Sequence, residues 1–330
     1  MAQSSARKPR RSPDASVRPD GARDDQPAQP RVGGEQQATV IPLVPSPGLR
    51  LARILVPVAN PATARGLMQM ASALGAGRTP AEIVALKVVT APRGVALEEA
   101  RRYILPMREH YEGALSQATA FAGEMGLPLT TELVVAGEVT AGILDYASRL
   151  PDLDLILLGW RGAMSARRVR RSINQAIVSR AGTNVAVLRL RGAELGPLRR
   201  ILVPIGWGPH ARLGLRLAER LALSTHAQVT ALRVLPMTGE VDWEGERSRL
   251  IKLIEEEAPG LRYDTELRLT REPAAMPAIL AEAHRQPYDL IIIGASDESW
   301  VRTWLFGAIP DQVAERAPCS VLLVHKRPGT

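Results

Sequence analysis

The chain has 330 residues, of which 45% are hydrophobic and 23% charged, with a net charge of +8 and one cysteine. That length suits two domains, and the apolar content is enough to give each a core. A single cysteine excludes a disulfide framework and a cysteine-ligated zinc or iron–sulfur site, and no apolar run approaches the roughly 18 residues of a membrane-spanning helix.

Residues 1–50 contain no Phe, Trp or Tyr but eight Pro and four Gly, with eight Lys/Arg against five Asp/Glu. Such a segment cannot bury enough apolar surface to offset the entropy of ordering. It is expected to be a disordered basic tail, at least over 1–46. The cluster Arg7, Lys8, Arg10, Arg11 reads as solubilising charge rather than a polyanion site, and nucleic acid is not an expected partner. No apolar stretch follows these early basic residues, so no secretory signal is expected. With the lone cysteine, this points to a soluble protein of a reducing, cytoplasmic compartment.

After residue 50 the chain repeats itself. Arg53-Ile-Leu-Val-Pro-Val58 returns as Arg200-Ile-Leu-Val-Pro-Ile205. Each is followed by a helical pattern, from Ala62 to Leu74 and from Ala211 to Leu223. A second strand comes next, Ile83 to Val89 and Val229 to Leu235, and then a polar helix. Third strands are expected at Thr131–Val135 and Thr265–Leu269. Fourth strands, at Leu153–Leu158 and Leu290–Ile293, each run into a glycine. Fifth strands follow at Val185–Leu190 and Ser320–His325, and a spacer, Arg191–Leu198, separates the copies. Short apolar strands alternating with helices imply an α/β fold with parallel sheets covered on both faces. Two tandem five-stranded doubly wound sheets are expected, over residues 51–190 and 199–326. In such sheets ligands sit beyond the strand C-termini, where strand order switches. The positions to inspect are therefore Ala59-Asn60, Gly206-Trp207, Gly159 to Gly162, and Gly294 to Asp297.

These loops and the repeat resemble the universal stress protein family, over both copies. The resemblance implies an adenine-nucleotide-hydrolase-like sandwich. Nucleotide-binding members carry Gly-x2-Gly-x9-Gly-Ser/Thr after strand four and an Asp after strand one. Glycines let backbone N–H groups approach phosphate, and the following helix N-terminus favours anions. In the first copy Gly159 and Gly162 match, Ser172 stands at the third glycine and Ile173 at the hydroxyl position. In the second, Gly294 and Gly307 match, while Asp297 and Ala308 replace the second glycine and the hydroxyl residue. Ala59 and Gly206 stand where the Asp would be, and Val88 and Val234 match the adenine pocket. The resemblance thus implies ATP or a related adenine nucleotide, with Mg²⁺, in one copy. The implied contacts are Pro57, Val88, Leu158, Gly159, Gly162 and Ser172 in the first copy. In the second they are Pro204, Val234, Ile293, Gly294, Gly307 and Ala308. Leu55 to Pro61, Gly159-Trp-Arg-Gly162 and Phe306-Gly-Ala-Ile-Pro310 further resemble the paired stress-protein domains at the cytoplasmic tails of amino-acid permeases. That likeness implies a membrane transporter as partner. Family members associate through their fifth strands, which implies a pseudo-dimer inside this chain.

Arg161, Arg167, Arg168, Arg170 and Arg171 read as a solvated helix entry first and a polyanion site second. Trp160 and Trp207 follow strands four and one, where an indole can stack on a base. Trp300 and Trp304 read as packing between the copies. Cys319 reads as a buried, inert thiol. Glu255, Glu256 and Glu257 read as a solvated helix face. No two of His110, His210, His226, His284 and His325 stand at metal-ligand spacing. With no triad, dyad or Walker lysine in view, a non-enzymatic protein is expected. Three functions remain open: a nucleotide-holding stress-response module, an interaction module with degenerate pockets, and a weak ATPase.

Overall fold

A computed structural model describes residues 49–160, 173–261, 264–294 and 309–327, all within one compact unit, Val44–Thr330. The expected tail lies outside the described residues except for Leu49 and Arg50. Leu49 packs against the core, so the folded body begins before residue 51.

The N-terminal half contains β1 (Arg53–Pro57), α1 (Pro61–Gly75), β2 (Glu82–Thr90), α2 (Leu97–Ile104), α3 (Gly113–Met125), β3 (Leu129–Ala136), α4 (Val139–Arg149), β4 (Leu153–Gly159), α5 (Ile173–Arg180) and β5 (Asn184–Arg189). The C-terminal half contains β6 (Arg200–Pro204), α6 (Pro209–Thr225), β7 (Gln228–Leu235), α7 (Trp243–Glu257), β8 (Thr265–Arg271), α8 (Ala275–Arg285), β9 (Leu290–Gly294), α9 (Ile309–Arg316) and β10 (Ser320–His325). The repeated Arg-Ile-Leu-Val-Pro segments form β1 and β6. Their central residues are buried on both faces, which is why they read as continuous apolar runs rather than alternations. Asn60 starts α1 by accepting a hydrogen bond from Ala62 N at 3.0 Å, with Pro61 preset for the first turn.

The ten strands form one continuous sheet in the order β3-β2-β1-β4-β5-β10-β9-β6-β7-β8. Pairing is parallel within each half, and the halves meet where β10 runs antiparallel to β5, Val321 opposite Arg189 and His325 opposite Val185. The expected fifth-strand pairing therefore occurs inside the chain. Since β5 also pairs with β4 and β10 with β9, neither fifth strand keeps an edge for a second copy.

One core layer runs under α1, α3, α6 and α7 across both halves, joining Leu67, Leu74 and Phe121 to Leu217, Leu221 and Leu253. A second layer on the opposite face joins Ile143 and Ile177 to Ile279 and Val313. Arg220 of α6 ties the halves together, donating to Leu74 O at 2.6 Å, Ala76 O at 2.9 Å and Leu49 O at 2.9 Å. The first two are carbonyls that the end of α1 leaves without helical partners, and the third lies just ahead of β1. Glu257 corrects the sequence reading of a solvated face. It is buried and meets Arg212 at 2.5 Å and Arg216 at 2.6 Å. Burial pushes its carboxyl up, but the two guanidinium hydrogen bonds outweigh this and hold it below the usual range. Apolar periodicity shows which face of a helix is buried, not whether a charge at its margin is paired.

Candidate functional site

Strand order reverses between β1 and β4, and there the N-terminal half opens into a cleft of about 670 Å³. That volume lies within the roughly 300–1,000 Å³ usual for small-ligand sites. Pro57 and Val58 of β1 form part of its floor, with Leu86 and Val88 of β2 and Leu158 and Gly159 of β4. Val139 and Ile143 of α4 make one wall, Thr63 and Leu67 of α1 another, and Trp160 stands at the mouth of β4. Leu67 is held under the end of β4; a Cβ on Gly159 would stand 3.4 Å from its Cδ1.

The polar groups favour an anion. Lys87 lines the cleft and donates from Nζ to Ala59 O at 3.2 Å. The start of α1 also opens on it and has no acidic residue in its first turn. Asn174, buried at the start of α5, donates to Gly159 O at 3.0 Å and fixes that turn. Among the described residues, no Asp, Glu, His or Cys lines the cleft.

The structure brings Pro57, Val88, Leu158 and Gly159 together in this cleft, with Ile173 and Trp160. Gly162 and Ser172, and the arginines from 161 to 171, lie outside the described residues. Sequence reasoning missed Thr63, Leu67, Asn174, Val139 and Ile143. All five sit on helices, and their inward direction depends on how each helix packs, which no local signal encodes.

The matching place in the C-terminal half is built differently. Pro204 ends β6, Val234 lies near the end of β7, and Ile293 and Gly294 end β9. Gly307 and Ala308 lie outside the described residues, as do Asp297, Trp300 and Trp304. A Cβ on Gly294 would stand 2.6 Å from Ala211 N, so the start of α6 lies directly on the end of β9. Counted from Arg53 and Arg200, Leu67 and Gly214 occupy the same position, as do Thr63 and His210. With Gly214 in place of a leucine, α6 comes down on β9 and β10; a Cβ there would meet Val324 at 3.5 Å and Ile292 at 3.6 Å. His210 is buried and stacks on His325, ring centroids 4.4 Å apart, and its Nδ1 accepts from Lys326 N at 2.8 Å. The two histidines are far apart in sequence, so spacing gave no sign of the pair. Arg233, the counterpart of Lys87, lies 4.6 Å from the Trp207 ring centroid and is tied to Glu246 at 3.2 Å. Arg233 is thus held by a carboxylate and an indole, whereas Lys87 lines the cleft.

Cys319 is buried, as the sequence implied, and burial pushes its thiol up to about 11, which leaves it unreactive at neutral pH. Among the described residues, no helix is long and apolar enough to cross a membrane.

Two tandem halves of this topology, with a cleft at the strand-order switch, define a doubly wound α/β protein. The family model for the universal stress protein family matches residues 51–189 and again 197–325. The chain belongs to that family. Among solved structures it is similar to a universal stress protein from Archaeoglobus fulgidus, with 17% identity, a TM-score of 0.62, 84% of this chain covered and 100% of the other. It is similar too to a putative universal stress protein from Pseudomonas aeruginosa, with 14% identity, a TM-score of 0.50, and coverage of 83% and 92%. A universal stress protein in complex with cAMP matches 40% of this chain and 99% of its own, with 19% identity and a TM-score of 0.34. A search of curated proteins returned no match to this chain.

Proposed function

We propose that the protein is a non-catalytic universal stress protein that holds one adenine nucleotide in the cleft of its N-terminal half. The observation that carries this reading is the open, cation-bearing cleft at the strand-order switch, set against a C-terminal counterpart where α6 rests on Gly294 and His210 is buried. The apolar floor of Val88, Pro57 and Leu158 suits a base, and Trp160 offers an indole face for stacking. Lys87 and the start of α1 suit phosphate. Mg²⁺ would enter with the nucleotide, because the described lining of the cleft supplies no carboxylate to hold it alone. We take residues 51–190 and 199–326 as the two domains, and a cytoplasmic setting for the lone, unpaired cysteine.

Isothermal titration with ATP and Mg²⁺ tests the reading, after denaturing extraction shows that no nucleotide has co-purified. One site per chain with micromolar affinity is expected, and Gly159→Val, which pushes side-chain atoms against Leu67, should abolish the heat. No heat from nucleotide-free protein would overturn it. A degenerate-pocket interaction module, akin to transporter regulatory tails, would then be the better account.

A further inference from the structure

Beyond Gly159 the cleft continues into a second compartment of about 340 Å³ at the junction of the two halves. The two spaces share Thr63, Leu67, Gly159 and Trp160, so they adjoin along the strand tips. Along this path the floor crosses β2, β1, β4 and β5, three inter-strand steps, about 14 Å at the usual spacing.

The junction compartment exists because the chain leaving β5 lies close to α1. A Cβ on Gly66 would stand 2.5 Å from Leu190 Cδ1 and 3.3 Å from Ala193 O, so any larger residue there would have to displace the Leu190 tip. The spacer is then pinned to α1, where Gln69 accepts from Leu195 N at 2.8 Å and Arg65 meets Glu194 at 3.3 Å. The compartment is therefore a built feature of the fold rather than a gap under a free loop.

Its chemistry differs from that of the cleft. Arg189 lines it from β5, and Glu315, from the last turn of α9, reaches it from the C-terminal half. Arg189 Nη1 already donates to Cys319 O at 3.2 Å and Ala317 O at 3.4 Å, so its other N–H donors, with a carboxylate that only accepts, suit a neutral group rich in hydroxyls. An extended phosphate tail would meet the Glu315 charge and be disfavoured. The Thr63 hydroxyl and the Trp160 ring add one polar contact and one flat apolar face, as sugars commonly require.

We infer that the junction compartment takes a second sugar-bearing group, so that the ligand is an adenine nucleotide extended beyond its phosphates, of the ADP-sugar or dinucleotide class. This rests on the nucleotide reading of the N-terminal cleft. The second half contributes Glu315 to a site that belongs mainly to the first, which gives the tandem arrangement a role that neither half has alone.

The test compares ADP, ATP and ADP-ribose by isothermal titration of the full chain. Gly192→Trp serves as a plug, since a side chain on Gly192 starts in open space at the edge of the compartment and does not touch the cleft. ADP-ribose should bind about tenfold more tightly than ADP, as one or two added hydrogen bonds would give, and ATP should not share that gain. Gly192→Trp and Glu315→Gln should each erase most of the gain while leaving ADP binding unchanged. Equal affinities for ADP and ADP-ribose, or a gain that survives both substitutions, would overturn the inference and leave the nucleotide reading standing. Loss of ADP and ADP-ribose binding together in Gly192→Trp would also overturn it. No binding of any nucleotide to the unsubstituted chain would overturn both.

Discussion

The two halves begin with the same five residues, Arg-Ile-Leu-Val-Pro, and place them in equivalent central strands, yet their strand tips differ: a cleft of about 670 Å³ opens in the first half, while the start of α6 rests on Gly294 in the second. The divergence traces to one helix position. Leu67 stands as a wedge between α1 and the end of β4, whereas Gly214 lets α6 descend until its backbone touches Gly294. A buried leucine and a glycine differ by a whole side chain in a close-packed layer, so the helix must move to fill the difference. Neighbouring charges follow the same division. Lys87 faces an opening, while Arg233 is consumed by Trp207 and Glu246. A duplicated sheet can thus keep its strands while a helix settles at a different height over their tips.

The comparison breaks first at its glycines. Gly294→Ala places a Cβ against the backbone of α6, which cannot swing aside as a side chain can, and should destabilise the protein by about 3 kcal/mol in urea unfolding. Gly159→Ala meets only the tip of Leu67 and should cost less than about 1 kcal/mol. Equal costs would show that the two helices sit at the same height. Arg220→Met removes the donor to two carbonyls at the end of α1 and to Leu49 O ahead of β1, and should cost about 2 kcal/mol, without altering nucleotide affinity. Leu67→Ala should let α1 settle toward Gly159 and weaken ATP binding about tenfold, a change of about 1.4 kcal/mol. An affinity that stays the same would remove Leu67 as the wedge.

Alkaline pH should also lower stability. Burial is the main cause that pushes the Tyr288 phenol from 10.0 up to about 12 and the Cys319 thiol from 9.0 up to about 11, and both lie in the C-terminal half. A folded-state value raised above the unfolded one gives stability that is complete below the unfolded value and is lost as pH rises through the folded one. Stability should therefore fall from about pH 9 to about pH 12, and Tyr288→Phe should flatten the upper part of that slope. An unchanged slope in Tyr288→Phe would place its origin elsewhere.

Much of the fold was legible because the repeat is explicit. The repeated first strand, the β-branched second strands and the apolar fourth and fifth strands are local signals, and each became a strand. The third strands were read short: β3 runs from Leu129 to Ala136, where edge-strand threonines and a glutamate blur the apolar pattern. The site was legible only where it lies on strands and the turns that follow them. Pro57, Val88, Gly159 and Trp160 could be named because strand C-termini at an order switch are predictable places. Leu67, Asn174 and His210 could not, because what they do depends on helix position, which is set by packing between distant segments. Glu257 was misread for the same reason, its partners lying on α6, some forty residues earlier.

The central claim is that one half, the first, holds the nucleotide. Photolabelling with 8-azido-ATP, with excess ATP as competitor and peptide mapping by mass spectrometry, tests it most directly. The account predicts one competed label per chain, in peptides carrying the ends of β1, β2 or β4, around Pro57, Val88 and Trp160. A competed label in peptides around Trp207 or Val234, or equal labelling of both halves, would contradict it.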